Sequence, residues 1–282
     1  MTPIEKQIIL ITGSTDGLGR ATARELAARG AQVLVHGRDQ ARIDAVVAEM
    51  TAVAGRTPVK GYRADLSELS QVRRLAAEIR ADHDRLDLLI NNAGIGSGNM
   101  SRYQRETSRD GHELRFAVNY LAPFLLTRLL LPLLEAAAPS RIVSVSSVGQ
   151  APIDFDDLMM QKRYEPYDAY CRSKLAQVMF TIDLAAELAT KRITVNCLHP
   201  ASLMNTKMVF ESFGHTMSTI EDGVAAVMNL AVSPSLDRVT GRYFNELSES
   251  RANAQAYDAS ARARLKRISE ELTGLAGPSA RR

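Results

Sequence analysis

The sequence predicts one α/β domain, in which helices cover both faces of a doubly wound parallel sheet of six to seven strands. Short apolar, β-rich runs alternate with helical patterns along the 282 residues, and a glycine-rich turn follows the first run. The sequence has no internal repeats and no low-complexity linkers. We therefore expect a single domain over residues 1–282.

Composition and charge exclude several classes of protein. The chain is 45% hydrophobic and 24% charged, with dispersed charges and a net charge of +3, so we expect neither nucleic acid nor a membrane as a partner. Cys171 and Cys197 lack metal-ligand spacing, which indicates reduced thiols, a cytoplasmic protein and no metal site. Residues 121–134 form the most apolar stretch, but Arg128 and Pro132 interrupt it, which favours a buried core helix.

The first organised unit runs from residue 8 to residue 35. A short apolar strand leads into a glycine-rich turn at 12–19, then a helix and a second strand at 33–35, which together form a βαβ unit. Glycines permit a tight bend there and let the backbone approach a pyrophosphate, at positions Gly13, Gly17 and Gly19. In this context the turn predicts a dinucleotide site, whereas alone it would indicate a plain loop.

Polar residues follow the next two predicted strands. The third strand begins near Val59 and ends at Asp65, which is either a turn residue or a ligand contact, and Ser67 is placed to cap the helix after it. The fourth strand, 86–90, runs into Asn91-Asn92-Ala93-Gly94. Two amides and a glycine suit polar ligand contacts at the carboxyl edge of a sheet.

A long helix is predicted from about residue 107 to residue 137, and it carries Asn119 in an apolar setting. A buried asparagine needs hydrogen-bond partners, so Asn119 is either a structural bridge or part of a site. The strand at 141–145 then leads into Ser146 and Ser147.

The last third of the chain completes the alternation. The expected elements are a strand at 193–198 ending in His199-Pro200-Ala201, a helix at 220–232, a short strand at Tyr243-Phe244 and a surface helix at 259–273. Ser218 and Glu221 resemble a capping box at the start of the helix at 220–232.

Tyr170 and Lys174 predict proton-transfer chemistry. Side chains four residues apart lie on one face of a helix, so the phenol and the ammonium reach a common ligand. A phenol with a pKa of about 10 is a poor acid or base near neutrality, but a nearby cation favours the phenolate. For an isolated pair of this kind, an ordinary amphipathic helix is the alternative.

Together these motifs resemble those of the short-chain dehydrogenase/reductase family over nearly the whole chain. The matching residues are Thr12-Gly13 with Gly17-Leu18-Gly19, Asp65, Asn91-Asn92-Ala93-Gly94, Asn119, Ser147, Tyr170 with Lys174, and Pro200-Ala201 with Thr206. Within the family the chain looks most like the retinol-dehydrogenase-like branch, on residues 118–127, the loop 148–167 and Gly241 with Tyr243-Phe244.

The resemblance implies a Rossmann fold in one domain with three functional parts. These are a cofactor-binding and catalytic core at 1–200, a substrate lid at 201–217, and a C-terminal helix and tail at 248–282. Ala201 stands where the family usually has glycine. Leu265-Lys266 stands where this branch often has tryptophan, so docking of the C-terminal helix is left open.

By this resemblance, four residues form the catalytic group. Tyr170 exchanges a proton with the carbonyl or alcohol, and Lys174 lowers the pKa of Tyr170 and holds the nicotinamide ribose. Ser147, rather than Ser146, hydrogen-bonds the substrate oxygen. Asn119 holds a water that links Lys174 to solvent as a proton relay. Hydride transfer itself belongs to the cofactor.

The resemblance also implies which residues contact the cofactor. They are Gly13, Ser14, Thr15, Gly17, Leu18, Gly19, Arg38, Asp65, Leu66, Asn92, Ala93, Gly94, Tyr170, Lys174, Pro200, Ala201, Leu203 and Thr206.

Residues 35–39 predict which nicotinamide cofactor is preferred. NAD-preferring sites place an acidic residue at the end of the second strand, and this chain has Gly37 there. Arg38 offers a planar cation to a 2′-phosphate, and the hydroxyls of Ser14 and Thr15 are nearby. We expect NADP(H), with NAD(H) as the alternative if Asp39 contacts the ribose, although Asp39 is well placed to cap the following helix.

The substrate is expected to be a small apolar or aromatic carbonyl compound or its alcohol. Met and Phe residues cluster at 203–217, facing the loop after Ser147 and residues 164–167, although they could instead pack on one another. The alternatives are a catalytically idle dinucleotide-binding regulator or scaffold, and an NAD-preferring alcohol dehydrogenase. We expect a homodimer or homotetramer, paired through the helices at 107–137 and 167–189.

Overall fold

The computed structural model describes residues 2–55, 57–98 and 104–275, and eight strands within them form one sheet. The strands are β1 (Ile8–Ile11), β2 (Gln32–Gly37), β3 (Lys60–Arg63), β4 (Leu88–Asn91), β5 (Ser140–Val145), β6 (Ile193–His199), β7 (Tyr243–Asn245) and β8 (Ser248–Ser250). Their order is β3-β2-β1-β4-β5-β6-β7-β8, all parallel except β8, which is antiparallel to β7. The predicted fold class is confirmed, with eight strands rather than six or seven.

Helices cover both faces of this sheet. They are α1 (Gly17–Ala28), α2 (Gln40–Ala54), α3 (Leu69–Asp82), α4 (Leu114–Phe116), α5 (Ala122–Ala136), α6 (Pro166–Glu187), α7 (Lys207–Phe213), α8 (Ile220–Val232) and α9 (Ala259–Thr273). A π-helical turn, Ala117–Leu121, joins α4 and α5 into one continuous helix. The sheet is buried on both sides, so the side chains of β1 alternate between two cores. Leu10 packs with α3, α5 and α6, whereas Ile9 and Ile11 pack with α1, α2 and α8.

The strand order reverses between β1 and β4. From β1 the chain builds outward through β2 and β3, and then returns to place β4 on the other side of β1. At such a reversal the connections leave in opposite directions, so a crevice opens at the carboxyl ends of the two strands. The glycine-rich turn after β1 and residues 92–94 after β4 border this crevice.

The long helix begins later than the sequence predicted. It starts at Leu114 rather than near residue 107, because Gly111 (φ +82°) makes a turn that brings Thr107 into a bridge with Glu113. The helical span Leu114–Ala136 is long and apolar enough to cross a membrane, but 78% of its most apolar window is buried within the protein. This burial agrees with the predicted core helix.

Two predicted helix caps are wrong. Ser67 does not cap α3; the Asp110 carboxylate accepts from the Leu69 N–H at 2.8 Å instead. The capping box of α8 is formed by Thr219 and Asp222, one residue beyond the predicted Ser218 and Glu221. In both cases several polar residues precede the helix, and the backbone decides which of them reaches the free amides.

The C-terminal helix α9 is docked. Leu265 is 1% exposed, the Tyr120 hydroxyl lies 2.8 Å from the Ser269 hydroxyl, and Arg262 pairs with Asp183 of α6 at 2.6 Å. The question that the sequence left open is thus resolved. The helix also covers part of the outward faces of α5 and α6, which were expected to pair two copies of the chain, and that pairing stays a prediction.

Candidate active site

The hydroxyl of Ser147 meets the phenol of Tyr170. Ser147 follows β5, Tyr170 lies in the second turn of α6, and the Ser147 hydroxyl is close enough to lower the pKa of the Tyr170 phenol. Ser147 is held in place, since its Oγ accepts from the Gly149 N–H at 3.0 Å and its carbonyl accepts from the Tyr243 hydroxyl at 3.1 Å. Ser146 instead donates to the Lys174 carbonyl at 2.9 Å. The structure therefore places Ser147, not Ser146, against Tyr170.

Lys174 is buried on the same face of α6. Its Nζ donates to the Val145 carbonyl at 2.9 Å and to Gln177 Oε1 at 3.2 Å, and it lies 5.6 Å from the centroid of the Tyr170 ring. Burial lowers the pKa of Lys174 to about 7, because removing an ammonium from water disfavours its charged form. No charged partner of Lys174 contributes to this shift among the described residues.

The expected lowering of the Tyr170 pKa by Lys174 is not found. Burial raises the pKa of Tyr170 to about 12, and the hydrogen bond from Ser147 offsets only part of this rise. The physical reason is desolvation, which penalises phenolate as well as ammonium. A lysine that is itself half neutral near pH 7 supplies only part of a positive charge.

His199 ends β6 close to Lys174. Burial and, to a smaller extent, repulsion from Lys174 lower the pKa of His199 to about 4, so the imidazole is neutral at pH 7. Its Nε2 lies 3.2 Å from the Ser202 hydroxyl.

Asn119 is fully buried in the π-helical turn. Its Oδ1 accepts from the Ile95 N–H at 2.8 Å, and its Nδ2 donates to the Ile95 carbonyl at 3.0 Å and to Ser173 Oγ at 2.9 Å. It is therefore a structural bridge between α6 and the segment after β4. A Cβ on Gly94 would lie 3.2 Å from Asn119 Oδ1 and 3.5 Å from Lys174 Nζ, so the bridge also borders the lysine.

The glycine-rich turn is packed against the segment after β4. Gly13 has φ +65°, and a Cβ there would lie 2.8 Å from Ala93 Cα. The Asn92 amide donates to the carbonyls of Thr12 and Gly13 at 2.8 and 3.1 Å, and Thr12 Oγ1 accepts from the N–H groups of Asn92 and Ala93 at 3.0 Å. The amide of Asn92 thus shapes the turn. A Cβ on Gly19 would lie 2.3 Å from the Gly13 carbonyl oxygen, so the first turn of α1 packs closely on the glycine-rich turn, which suits a pyrophosphate at the start of the helix.

At the end of β2, three consecutive residues have different surroundings. Gly37 is buried, Arg38 is exposed, and Asp39 caps α2 by accepting from the Arg42 N–H at 3.0 Å. Within the described part of the chain, Arg38 forms no ion pair. These residues fit a nucleotide with a 2′-phosphate, because the cation is available and the neighbouring carboxylate is already bonded to the helix.

The two hydroxyls of the turn are not equivalent. Ser14 is fully buried, donates to the Ile11 carbonyl at 2.9 Å and accepts from the His36 N–H at 2.9 Å, so its hydroxyl is committed to the fold. Thr15 stands beside Gly37, where a Cβ would lie 2.6 Å from its Cγ2. Of the expected pair, Thr15 is thus the hydroxyl nearer to the end of β2.

From the sequence, Asp65 was either a turn residue or a ligand contact, and in the structure its carboxylate stabilises a turn. Its Oδ1 accepts from the Ser67 N–H at 2.9 Å, and the preceding Ala64 N–H donates to the Gly37 carbonyl at 3.0 Å. Asp65 therefore lies at the same sheet edge as Gly37, while Leu66 is buried in the core.

Residues 200–206 close the other side of the crevice. Thr206 caps α7 by accepting from the Val209 N–H at 3.3 Å, and a Cβ on Gly17 would lie 3.5 Å from Thr206 Cγ2. Ala201 is 4% exposed, and Leu203 has φ +45°. The structure thus brings this segment to the glycine-rich turn.

Aromatic and methionine side chains lead outward from Tyr170. Tyr167 stacks on Tyr170 at 6.3 Å between centroids, and Phe213 of α7 meets Tyr167 edge-on at 6.1 Å. Phe210 and Met217 are 64% and 73% exposed. The sequence allowed two interpretations of the cluster at 203–217, a substrate surface or side chains that pack on one another. Each applies to different residues, since some of these side chains pack inward and others face solvent.

Two residues that shape this site were not predicted from the sequence. His36 accepts the Gly13 N–H at Nδ1, 3.0 Å away, and Gln177 accepts from Lys174. The spacing of Gln177, three residues after Lys174 on the same helix face, is a signal that could have identified it. For His36 the only signal is a polar residue in a buried strand.

Comparison with known proteins agrees with this geometry. The family model described as short chain dehydrogenase matches residues 7–215. The chain belongs to the short-chain dehydrogenase family. Human retinol dehydrogenase 13 is 36% identical over 295 residues, covering 99% of this chain and 88% of the relative, and human retinol dehydrogenase 14 is 38% identical, covering 95% and 86%. These relatives place the chain in the retinol-dehydrogenase-like branch.

Solved structures of this family share the fold. A short chain dehydrogenase from Shigella flexneri complexed with NADP is 30% identical with a TM-score of 0.70, covering 86% of this chain and 97% of that one. A short chain dehydrogenase from Escherichia coli complexed with NADPH is 29% identical with a TM-score of 0.69, covering 86% and 96%.

Proposed function

We propose that this short-chain dehydrogenase is an NADP(H)-dependent oxidoreductase that interconverts a carbonyl compound and its alcohol, with Tyr170 as the general acid and base. The observation that carries the proposal is the convergence of two polar groups on the Tyr170 phenol: Lys174 Nζ lies 5.6 Å from the centroid of its ring, and the Ser147 hydroxyl lowers its pKa. A structural tyrosine has no need of both partners, whereas a proton donor to a carbonyl oxygen does.

The residues divide the work of reduction. The hydroxyls of Ser147 and Tyr170 are neighbours, so one substrate oxygen accepts a hydrogen bond from each. As negative charge develops on that oxygen, Tyr170 gives up its proton, and the buried ammonium of Lys174 stabilises the phenolate left behind. The nicotinamide cofactor supplies the hydride when it is bound. In alcohol oxidation the proton moves in the opposite direction.

The raised pKa of Tyr170 and the lowered pKa of Lys174 are consistent with these roles. The phenol keeps its proton until negative charge develops on the substrate oxygen, and the fraction of Lys174 that is charged near pH 7 then stabilises the phenolate.

The proposed substrate is apolar or aromatic. Tyr167 and Phe213 extend the aromatic surface outward from Tyr170, and Phe210 and Met217 leave apolar area exposed beside it. Binding of an apolar molecule to such a surface is favourable, because it removes apolar area from water. The similar retinol dehydrogenases are named for an apolar alcohol, which supports the same substrate class here.

The preference for NADP(H) rests on Arg38, which is exposed beside Gly37 while Asp39 caps α2. The similar structures complexed with NADP and NADPH support it.

The test is cofactor consumption against a panel of ketones, aldehydes and alcohols, each with NADPH or NADP⁺ and with NADH or NAD⁺. We expect turnover of apolar members of the panel, with the phosphorylated cofactor preferred and with nearly all turnover lost in Tyr170→Phe. Cofactor binding without turnover of any member would instead support the idle regulator or scaffold.

A further inference from the structure

A buried arginine that sequence analysis did not single out joins two segments bordering the active site. Arg115 of α4 is 4% exposed. Its Nε donates to the Gly96 carbonyl at 3.2 Å, and its Nη2 donates to the Ser97 carbonyl at 2.9 Å. Its Nη1 donates to the Tyr164 hydroxyl at 2.7 Å. Arg115 therefore ties the segment after β4 to the loop that precedes α6.

The charge of this guanidinium is compensated. Glu113 is 1% exposed and lies 3.5 Å from Arg115, and it also accepts from the Tyr164 hydroxyl at 3.2 Å and from the Phe116 N–H at 2.7 Å. Glu106 lies 3.4 Å from Arg115 on the solvent side. Because these partners and the carbonyls use its donors, Arg115 is a structural connector rather than a binding site for a substrate anion.

The helix α7 rests on the segment that Arg115 holds. A Cβ on Gly96 would lie 2.9 Å from both Met208 Cγ and Ser212 Oγ, so these two side chains of α7 lie directly on the Gly96 backbone. Ser212 is 7% exposed, whereas most of α7 faces solvent. The contact requires glycine at position 96, since any side chain there would displace the helix.

The last residue of α7 also rests on the second segment. Phe213 meets Tyr167 edge-on, and Tyr167 follows Tyr164 by three residues at the start of α6. Both supports of α7 are thus connected to one guanidinium: Gly96 by a direct hydrogen bond, and Tyr167 through the chain that Tyr164 anchors.

We propose that Arg115 is a positioning residue that fixes the support of α7 and so sets how readily this helix opens beside Tyr170. It controls access of substrate to the phenol, and takes no part in proton or hydride transfer. Its kinetic consequence rests on the proposed function, but the effect on the opening of α7 does not.

Limited trypsin proteolysis tests the proposal without any turnover. The helix begins at Lys207, which is exposed, and cleavage after a helical residue requires local opening. Arg115→Gln should raise the cleavage rate after Lys207, followed by mass spectrometry, by roughly 5-fold or more, since at least one hydrogen bond to the support is lost. Tyr164→Phe removes one of the bonds and should give a smaller increase.

Arg128→Gln is the matched control. Arg128 lies on the same continuous helix and is also ion-paired, but its partner Glu187 and its aromatic contacts Phe124 and Phe180 lie far along α5 and α6. Cleavage of the Arg128→Gln variant after Lys207 should stay within about 2-fold of the wild-type rate, because Arg128 touches neither support of α7.

Gly96→Val keeps the proposal testable if Arg115→Gln does not fold. The added side chain should push α7 away and speed cleavage after Lys207, and Met208→Ala in the same chain should restore part of the protection by making room. In turnover assays, both single variants should change KM for the carbonyl compound while leaving the pH dependence of kcat unchanged.

Two results would overturn the proposal. One is cleavage after Lys207 at the wild-type rate in folded Arg115→Gln or, where that variant does not fold, in Gly96→Val. The other is equal acceleration at every trypsin site, which would show a general loss of stability. If cleavage after Lys207 is selectively faster but no panel member turns over, the positioning role stands and the proposed function fails.

Discussion

Replacing Arg38 with alanine should separate the two nicotinamide cofactors. Arg38 is exposed at the end of β2 and has no ion pair within the described residues, so its guanidinium is free to meet a 2′-phosphate. A hydrogen bond to a charged group contributes about 1.5–3 kcal/mol, and solvent screening places an exposed arginine at the lower end. We therefore expect about a tenfold loss of NADPH affinity and no change for NADH.

Titration of intrinsic or cofactor fluorescence with each nucleotide measures this difference. Arg29→Ala is the matched control, because Arg29 is an exposed arginine at the far end of α1 whose partner is Glu25 at 2.7 Å. The Arg38 effect should shrink as ionic strength rises, as expected for a screened contact. An equal loss for both nucleotides, or no loss for either, would refute the reasoning.

Gly37→Asp does not offer an equally simple test. The new Cβ would lie 2.6 Å from Thr15 Cγ2 and 3.2 Å from Ile43 Cγ1, so the aspartate must first displace Thr15. We expect the single variant to bind both cofactors less well. Combined with Thr15→Ala, which removes the closest atom, it should shift preference toward NADH through a carboxylate at the ribose.

Three further predictions concern stability and assembly. The pKa of Lys174 is lowered from 10.5 to about 7 in the folded chain, so between these pH values the unfolded chain binds more protons than the folded chain. The free energy of unfolding should therefore rise with pH across this window, by at most about 1.4 kcal/mol per pH unit. Lys174→Met should remove that rise in denaturant titrations. Leu265→Ala should lower the free energy of unfolding by about 2–5 kcal/mol, since Leu265 is buried where α9 docks, whereas exposed Leu247→Ala should change it little. Light scattering should give a molar mass of two or four times 30.9 kDa if the long helices pair as expected. A molar mass near 30.9 kDa would contradict that pairing and agree with α9 covering the faces that would have paired.

Most of the fold could be predicted because its signals are local. The buried parallel strands are apolar runs, and helix α9 has the bounds predicted for the C-terminal surface helix, Ala259–Thr273. The missed strand β8, Ser248–Ser250, is exposed and polar at the edge of the sheet, so no hydrophobic pattern marks it. Whether α9 docks depends on long-range contacts such as Tyr120 with Ser269, 149 residues apart.

Residues of the candidate site could be predicted from the sequence where they belong to a motif. Residues that act through their packing contacts could not. The spacing of Tyr170 and Lys174 was enough to place them together, and the strand end placed Ser147. Arg115 has no motif, because its role arises only when Gly96 and Tyr164 are brought to it by the fold. The pKa of Tyr170 could not be predicted either, since it depends on how completely the phenol is removed from water.

The most direct test of the central claim compares wild type with Tyr170→Phe in a single turnover. Enzyme saturated with NADPH is mixed with a carbonyl compound from the panel, and loss of nicotinamide absorbance is followed. Because the ring and its stacking on Tyr167 remain, we expect NADPH affinity within a few-fold of wild type and a rate of cofactor oxidation lower by about 10²-fold or more. A Tyr170→Phe variant that oxidises NADPH at close to the wild-type rate would contradict the assignment of Tyr170 as the proton donor.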